Sequence, residues 1–400
     1  MITVHQPLEA ERLYMEYKEL NSCIACGWHF GLEPVLDLGS QPLANNYVLE
    51  QCEVPEYPLA LNHCPNCDHA QLSVGVKPEL MFKHYLYVTG TSQTLRDYCD
   101  WFALHTTKNL DPGSILDIAS NDGTQLDSYA NLGWDTTGIE PADNLIVDYK
   151  HKLYHDFCEN LDIDEQFDII TAQNVMAHTA HPKLLMKKIK KWLNPKGTAY
   201  IQTSQANMFK NGEFDTMYHE HVSFFCVKSM TALANSVGLN LVNVEITPIH
   251  GDSYVFSLQH KPEEIDVERY LPETYKQFSS KAQTVLRKFA EHVQHYRDLG
   301  YTIVGYGAAA KGMTVLNAGN ITLDFIVDDN PIKVDHYTPG TNIAILPSNN
   351  IAGIEKLVVV PLAWNFYTEI KANCVKARPD LETVFIKYFP EVQIEKEHIS

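Results

Sequence analysis

The chain has 400 residues, more than one hydrophobic core usually serves, so two or three domains are expected. Its 45% hydrophobic and 20% charged content is that of an ordinary globular protein rather than a disordered or fibrous one. The formal charge of −19 argues against a nucleic-acid partner. The one basic cluster, "KKIKKW" at 187–192, reads as the solvated side of a helix, and any anionic ligand must be held by local donors.

The N-terminal "MITVHQPLEAERLYMEYKEL" lacks a basic segment followed by an apolar core, so it does not read as a secretory signal. No run of 18 apolar residues reads as a membrane span. The expectation is a cytoplasmic protein without membrane contact. In a reducing compartment the nine cysteines are not expected to form disulfides. Four of them make two CxxC units, Cys23-Ile-Ala-Cys26 and Cys64-Pro-Asn-Cys67, separated by 37 residues. Two such turns close a tetrahedron of thiolates around Zn²⁺ and leave no open position, so the metal is expected to be structural. It would hold together a small unit, roughly residues 20–75, that cannot build an adequate core alone. Gly27 and Asp68 follow the two units, as tight turns favour. Within this stretch "VLDLGSQPLANNYV" (35–48) reads as a loop whose Tyr47 reaches toward a ligand. Cys52, Cys99, Cys158, Cys226 and Cys374 stand alone and read as packing residues.

"GSILDIASNDGTQL" (113–126) reads as a buried strand, a tight turn at Asp122-Gly123 and a helix start. Glu140 stands seventeen residues after Gly123, at the end of a second strand in "DTTGIEPADN". A carboxylate in that place accepts hydrogen bonds from both hydroxyls of an adenosine ribose. The turn holds a single glycine and makes a poor pyrophosphate cradle, which favours S-adenosylmethionine (SAM) over NAD. A third strand in "EQFDIITAQNVMAHT" (165–179) carries Gln173, Asn174 and His178 at its end. "KLLMKKIKKWLNPKGTAYIQT" (183–203) then gives an amphipathic helix, a Pro-Gly turn and a strand. This alternation implies a doubly wound parallel sheet. The expected SAM residues are Asp117, Ala119, Ser120, Asn121, Gly123, Glu140, Pro141, Gln173 and Asn174.

On these residues the chain resembles the SAM-dependent sugar C-methyltransferases of deoxysugar pathways, which place a branching methyl on a nucleotide-linked 4-keto-6-deoxyhexose. The paired CxxC units, "DIASNDGTQL", "QNVMAH", "YHEHVSFF", "GYGAAAKG" and "PGT" (339–341) occur in the family's order across nearly the whole chain. One departure is Ala119, where the family commonly has glycine. The expected architecture is α/β: a zinc-binding domain (1–80), a Rossmann-like SAM methyltransferase domain (81–260) and a C-terminal α/β Rossmann-like domain (261–400). A monomer or weak dimer is expected.

"YTIVGYGAAAKGMTVLNAGN" (301–320) is a second strand–turn–helix, followed by a strand ending at Asp328-Asp329-Asn330. Alone it resembles a dinucleotide fingerprint, and an NAD-dependent nucleotide-sugar dehydrogenase or reductase is an alternative. The family resemblance implies instead that this domain holds the nucleoside diphosphate of a nucleotide-diphospho-ketosugar. Gly307, Ala308, Ala309, Ala310 and Lys311 would then meet the pyrophosphate, with Asp328, Asn330 and Thr341 near base or ribose. The sequence leaves dTDP and GDP open; methylation at C3 is what the resemblance implies. The stretch 261–300 reads as a long linking helix with Val285, Phe289, Val293 and Tyr296 on its apolar side.

"DTMYHEHVSFF" (215–225) places Tyr218, His219, Glu220 and His221 before an apolar run, in a loop expected at the crevice. Carbon methylation beside a ketone needs a base, a stabilised enolate and an aligned methyl donor. The family motif marks His221 as the base. Tyr218 would hydrogen-bond the keto oxygen or relay a proton, Glu220 would orient a histidine, and Asn174 and His178 would add contacts to the oxygen and sugar. Val222–Phe225 would exclude water. A zinc-ribbon binding protein without catalysis is the remaining alternative, and the −19 charge weighs against it as a nucleic-acid adaptor.

Overall fold

The computed structural model describes residues 16–397, apart from 84, 86, 87, 147, 205, 206, 250, 262–264 and 268–273. Most of the N-terminal segment considered as a leader therefore lies outside the described residues. No helix among the described residues is long and apolar enough to cross a membrane. The chain forms two compact units. Unit 1 takes residues up to Glu33, Asn62–Ala206 and Glu220–Glu273; unit 2 takes Pro34–Leu61, Asn207–His219 and everything from Thr274 onward.

Unit 1 is built on a seven-stranded sheet: β1 (Ser114–Ile118), β2 (Asp135–Ile139), β3 (Lys152–Tyr154), β4 (Phe167–Gln173), β5 (Leu193–Thr203), β6 (Asn240–Thr247) and β7 (Ser253–Gln259). Their spatial order is β3-β2-β1-β4-β5-β7-β6. The first five run parallel, and β7 is antiparallel to both its neighbours. Alternate residues of β1 and β4 serve the two faces, because helices cover both. Ile115 and Ile169 pack with Ala103 of α1 (Gln93–Thr106) and with Leu126 and Tyr129 of α2 (Thr124–Ala130). Leu116, Ile118 and Ile170 pack with Leu185 and Ile189 of α3 (Pro182–Trp192) and Met230 and Leu233 of α4 (Val227–Asn235). Lys187 and Lys191 face solvent, as the helical spacing implied. The order reverses between β1 and β4, which opens a crevice at the carboxyl ends of the strands.

The Pro-Gly turn expected between α3 and β5 is not a turn. Leu193 begins β5 directly after Trp192, and the Pro195–Gly197 stretch is a register irregularity between Leu193 and Thr198. Gly197 is needed there, since a Cβ would lie 2.8 Å from the Asp168 carbonyl oxygen. Cys23, Cys64 and Cys67 belong to the same core as Phe225, Val227 and Met230, so the two CxxC turns are rooted in the main sheet's packing.

Unit 2 holds a six-stranded sheet: β8 (Thr302–Tyr306), β9 (Phe325–Asp328), β10 (Ile345–Pro347), β11 (Leu357–Pro361), β12 (Thr383–Lys387) and β13 (Gln393–Glu397). The order is β10-β9-β8-β11-β12-β13, parallel except for β13. Its helices are α5 (Phe278–Asp298), α6 (Ala310–Ala318) and α7 (Tyr367–Ala377). On α5, Phe289, Val293 and Tyr296 are buried while Val285 is half-buried. The helix expected over 261–300 thus begins only at Phe278, and part of its first stretch lies outside the described residues. The loop expected over 35–48 is also shorter: Glu33–Pro42 is a strand neighbouring Glu56–His63. The apolar Val35–Leu36 favours pairing, and Pro42, with no N–H to donate, stands at the strand's end. Cys52, read as a packing residue, is exposed; Cys99, Cys158, Cys226 and Cys374 are buried.

Candidate active site and metal centre

The four cysteines of the CxxC units converge. Their sulfurs all lie within 4.8 Å of one another, with Cys23–Cys67 at 3.6 Å and Cys26–Cys64 at 3.7 Å. A tetrahedron with Zn–S bonds of about 2.3 Å has edges of about 3.8 Å, so the set fits Zn²⁺ and is far too open for disulfides. The expected turns are present: Gly27 has φ +82° and Asp68 +57°. Backbone bonds from Gly27 N–H to Cys23 O and from Asp68 N–H to Cys64 O, both 2.9 Å, close them. The Cys26 N–H points at the Cys23 sulfur, 3.4 Å away. A hydrogen bond from Cys67 pulls Cys23 down to about 5, and burial pushes Cys64 up to about 12. Without a cation only part of the set ionises; a dication removes that conflict. Cys226, at the start of α4, aims its thiol at the Asp68 carbonyl, 3.4 Å away, and so backs the second turn.

At the end of β1 the chain doubles back through three left-handed residues, Ala119 (φ +55°), Asn121 (+54°) and Gly123 (+84°). That path lets Ser120 N–H reach Ile139 O at 2.9 Å and Asn121 N–H reach Glu140 Oε2 at 2.8 Å. Glu140 Oε1 accepts the Ala142 N–H at 2.8 Å, across the half-buried Pro141, and burial raises this carboxyl's pKa. Asp117 is buried under the turn, where burial pushes it up to about 7 although Thr171 donates to it at 2.5 Å. Gln173 donates to Gln125 at 2.8 Å. Asn174, left-handed at φ +54°, donates its N–H to Gln202 O at 2.9 Å and leaves its buried Oδ1 without a partner. The SAM residues named from the sequence thus gather at one end of the sheet. They fit the cofactor: a buried carboxylate closes β2, and an unsatisfied amide oxygen lies across the β1/β4 switch.

Sequence reading missed the strap over this turn. Thr89 N–H donates to Asn121 Oδ1 and Gly90 N–H to Asp122 Oδ2, both at 2.9 Å. A Cβ on Gly90 would lie 2.5 Å from that carboxylate oxygen. The only hint was a glycine between threonines in "VTGTSQT". Tyr149, 2.5 Å from Ser120 Oγ, carried no sequence signal at all.

Two histidines meet in unit 1. His178 is sandwiched, stacked on Phe82 at 5.5 Å and on His221 at 5.1 Å, and the edge of Phe224 approaches His221 at 6.4 Å. Burial brings His178 down to about 4, so it is neutral near pH 7, and its Nε2 has no hydrogen-bond partner. The boundary between units falls inside the tetrad: Tyr218 and His219 belong to unit 2, Glu220 and His221 to unit 1. His219 Nε2 faces the carbonyls of Tyr57 (3.2 Å) and Pro58 (3.3 Å), which places the proton on that nitrogen. Burial lowers its pKa to about 4, and its role is structural. Upstream, Asp215 Oδ2 accepts from Trp364 at 2.6 Å and Tyr388 at 3.2 Å, and Thr314 donates to Met217 O at 3.0 Å. These bonds tie the approach to the tetrad onto unit 2.

In unit 2 the Gly-Ala turn has its first N–H groups engaged. Gly307 N–H bonds Val327 O at 2.8 Å, Ala308 N–H bonds Asp328 Oδ2 at 2.6 Å, and Ala309 N–H bonds Gly307 O at 2.9 Å. Tyr47 donates to Ala308 O at 2.7 Å. Asn330 serves its own turn, with Oδ1 accepting Ile332 N–H at 3.0 Å, and Thr341 pairs with Thr338 at 2.8 Å. Ala310 begins α6. Lys311 lies over the Trp364 ring at 4.4 Å and 3.9 Å from the buried Glu213, with no hydrogen bond on its ammonium.

A sheet of order 3-2-1-4-5-7-6, with a buried carboxylate at the end of β2, is the architecture expected of a SAM-dependent methyltransferase. Three family models match in succession: a zinc binding domain over residues 23–82, a methyltransferase domain over 91–244 and a C-methyltransferase C-terminal domain over 255–390. The C-methyltransferase NovU of Streptomyces niveus is 26% identical over 390 residues, covering 89% of this chain and 92% of NovU. A ubiquinone biosynthesis O-methyltransferase of Actinobacillus pleuropneumoniae is 28% identical over 104 residues, 22% of this chain and 44% of that protein. Among solved structures, the glycopeptide N-methyltransferase MtfA with SAM is 13% identical at a TM-score of 0.35, covering 44% of this chain and 97% of that one. The three domains in succession and the likeness to NovU support a SAM-dependent C-methyltransferase, with SAM as cofactor and a four-cysteine zinc centre.

Proposed function

We propose that the protein methylates a carbon, C3, of a nucleotide-linked 4-keto-6-deoxyhexose, with His221 as the base. The observation that carries this reading is the imidazole stack. His221 lies against a neutral, desolvated His178 between aromatic rings, where a base meets little competition from water. SAM supplies an electrophilic methyl. His221 takes the C3–H proton, the electron pair passes to the C4 oxygen, and Tyr218 with Asn174 donates hydrogen bonds to that oxyanion. The enolate carbon would take the methyl, the C3–C bond forming as the S–CH₃ bond breaks and S-adenosylhomocysteine departs, while His221 retains the proton until product leaves. Glu220 orients the histidine. The sugar substrate rests on the sequence resemblance and on relatedness to NovU.

For the nucleotide, unit 2 supports a narrower reading than the sequence. Asp328 occupies the Ala308 N–H, and a diphosphate there would meet a carboxylate. The first-turn N–H groups at Ala310–Gly312 and the Lys311 ammonium remain as the donors for phosphate. Incubation with SAM and a panel of dTDP- and GDP-linked 4-keto-6-deoxyhexoses tests the reading. One sugar product should gain about 14 Da, a net CH₂. His221→Asn should lose about 10²-fold or more in turnover while SAM binding persists. No mass gain on any panel member, or normal turnover in that variant, would remove the substrate or the base respectively.

A further inference from the structure

Gln202 was not among the residues singled out in the sequence, and nothing in the reaction so far uses it. It lies on β5 in register with Gln173 of β4 and Val255 of β7. Its backbone carbonyl accepts the Asn174 N–H. Tyr200, two residues earlier and on the same face, packs toward the α1–α2 side of the sheet, and Gln173 reaches Gln125 on α2. Gln202 is 1% exposed, yet neither its Oε1 nor its Nε2 has a hydrogen-bond partner. A fully unsatisfied buried carboxamide is costly and rare, and its retention calls for a reason. It stands one strand from Asn174, whose Oδ1 is also unpartnered, at the crevice end of the sheet. Asn174 follows β4, beside the turn after β1; Gln202 lies one strand further from that turn.

We infer that Gln202 is an acceptor-binding residue: its carboxamide reads oxygen substituents of the acceptor ring, Nε2–H donating to one oxygen and Oε1 accepting from a hydroxyl. A neutral group with both donor and acceptor suits a hydroxylated keto ring and disfavours an acceptor bearing a charge at that place. This rests on the proposed sugar substrate and adds a specificity determinant to it.

The test is Gln202→Leu, which keeps bulk and removes every hydrogen bond, with Gln202→Glu beside it. With dTDP-4-keto-6-deoxyglucose or its GDP counterpart as probe, kcat/KM should fall roughly 10- to 100-fold in both variants, chiefly through KM. Binding of S-adenosylhomocysteine should be unchanged. The thermal midpoint of Gln202→Leu without ligand should equal or exceed the parent's, because an unpaired amide is replaced by an apolar group. A parent-like KM overturns the inference. So does a lower midpoint or failure to fold of Gln202→Leu, since either shows that the amide has a structural partner. If the unsubstituted enzyme methylates neither probe, the proposed substrate fails, and the midpoint still decides whether Gln202 is held by the fold.

Discussion

Ala119→Gly should stabilise the protein. Ala119 sits at φ +55° with its methyl exposed at the crevice end of β1. An L-residue in the left-handed region carries about 1–2 kcal/mol of Cβ–carbonyl strain, which glycine lacks. Glycine also frees the unfolded chain, which returns about 0.4–1 kcal/mol of that gain. The net is about 1 kcal/mol, or a rise of about 2–4 °C in the melting midpoint for a unit of this size. Differential scanning calorimetry of the two proteins, with and without S-adenosylhomocysteine, measures it. Titration calorimetry with SAM should show affinity equal to or tighter than the parent's, since only an exposed methyl at the crevice is removed. A lower midpoint for Ala119→Gly would refute the strain argument and show that the methyl makes a stabilising contact.

Removing zinc should be severe. Because Cys23, Cys64 and Cys67 lie in the main core of unit 1, chelation or Cys64→Ser should lower the melting midpoint and loosen that core, with one zinc per chain measured by metal analysis of the intact protein. A metal-free protein that melts like the parent would contradict a structural role. Acid should also destabilise the fold. His178 and His219 take up protons near pH 4 when folded but near 6.5 when unfolded. Between those values the unfolded chain binds more protons, so stability is complete above about pH 6.5 and declines as pH drops toward 4, by up to about 3 kcal/mol per histidine. Urea melts from pH 7 to 4 should show that decline; a flat profile would mean that neither ring's pKa is lowered by the fold.

The zinc centre was legible because its chemistry is local. Two turns with thiolates at fixed spacing leave the metal little freedom, and the sulfur distances agree. The strands ending near Asp117 and Glu140 were legible for the same reason: an apolar run followed by a turn residue marks a buried strand and its end wherever the sheet puts it. What failed was finer. The Pro195–Gly197 stretch looks like a turn in any sequence, and only close backbone approach to Asp168 keeps it inside β5 as an irregularity.

Other outcomes belonged wholly to tertiary packing. No spacing rule links Thr89 to Asn121, or Phe82 and His178 to His221, since these contacts span 32 residues or more. Nothing in "GYGAAAKG" says that Asp328 will take the Ala308 N–H, because that bond depends on where β9 ends beside β8. Sequence alone determined which chemical groups are present and which short turns they occupy, because covalent spacing and backbone preference act over a few residues. Which of those groups become buried, neutral or left unpaired was decided by the sheet, because desolvation depends on neighbours brought in from distant parts of the chain.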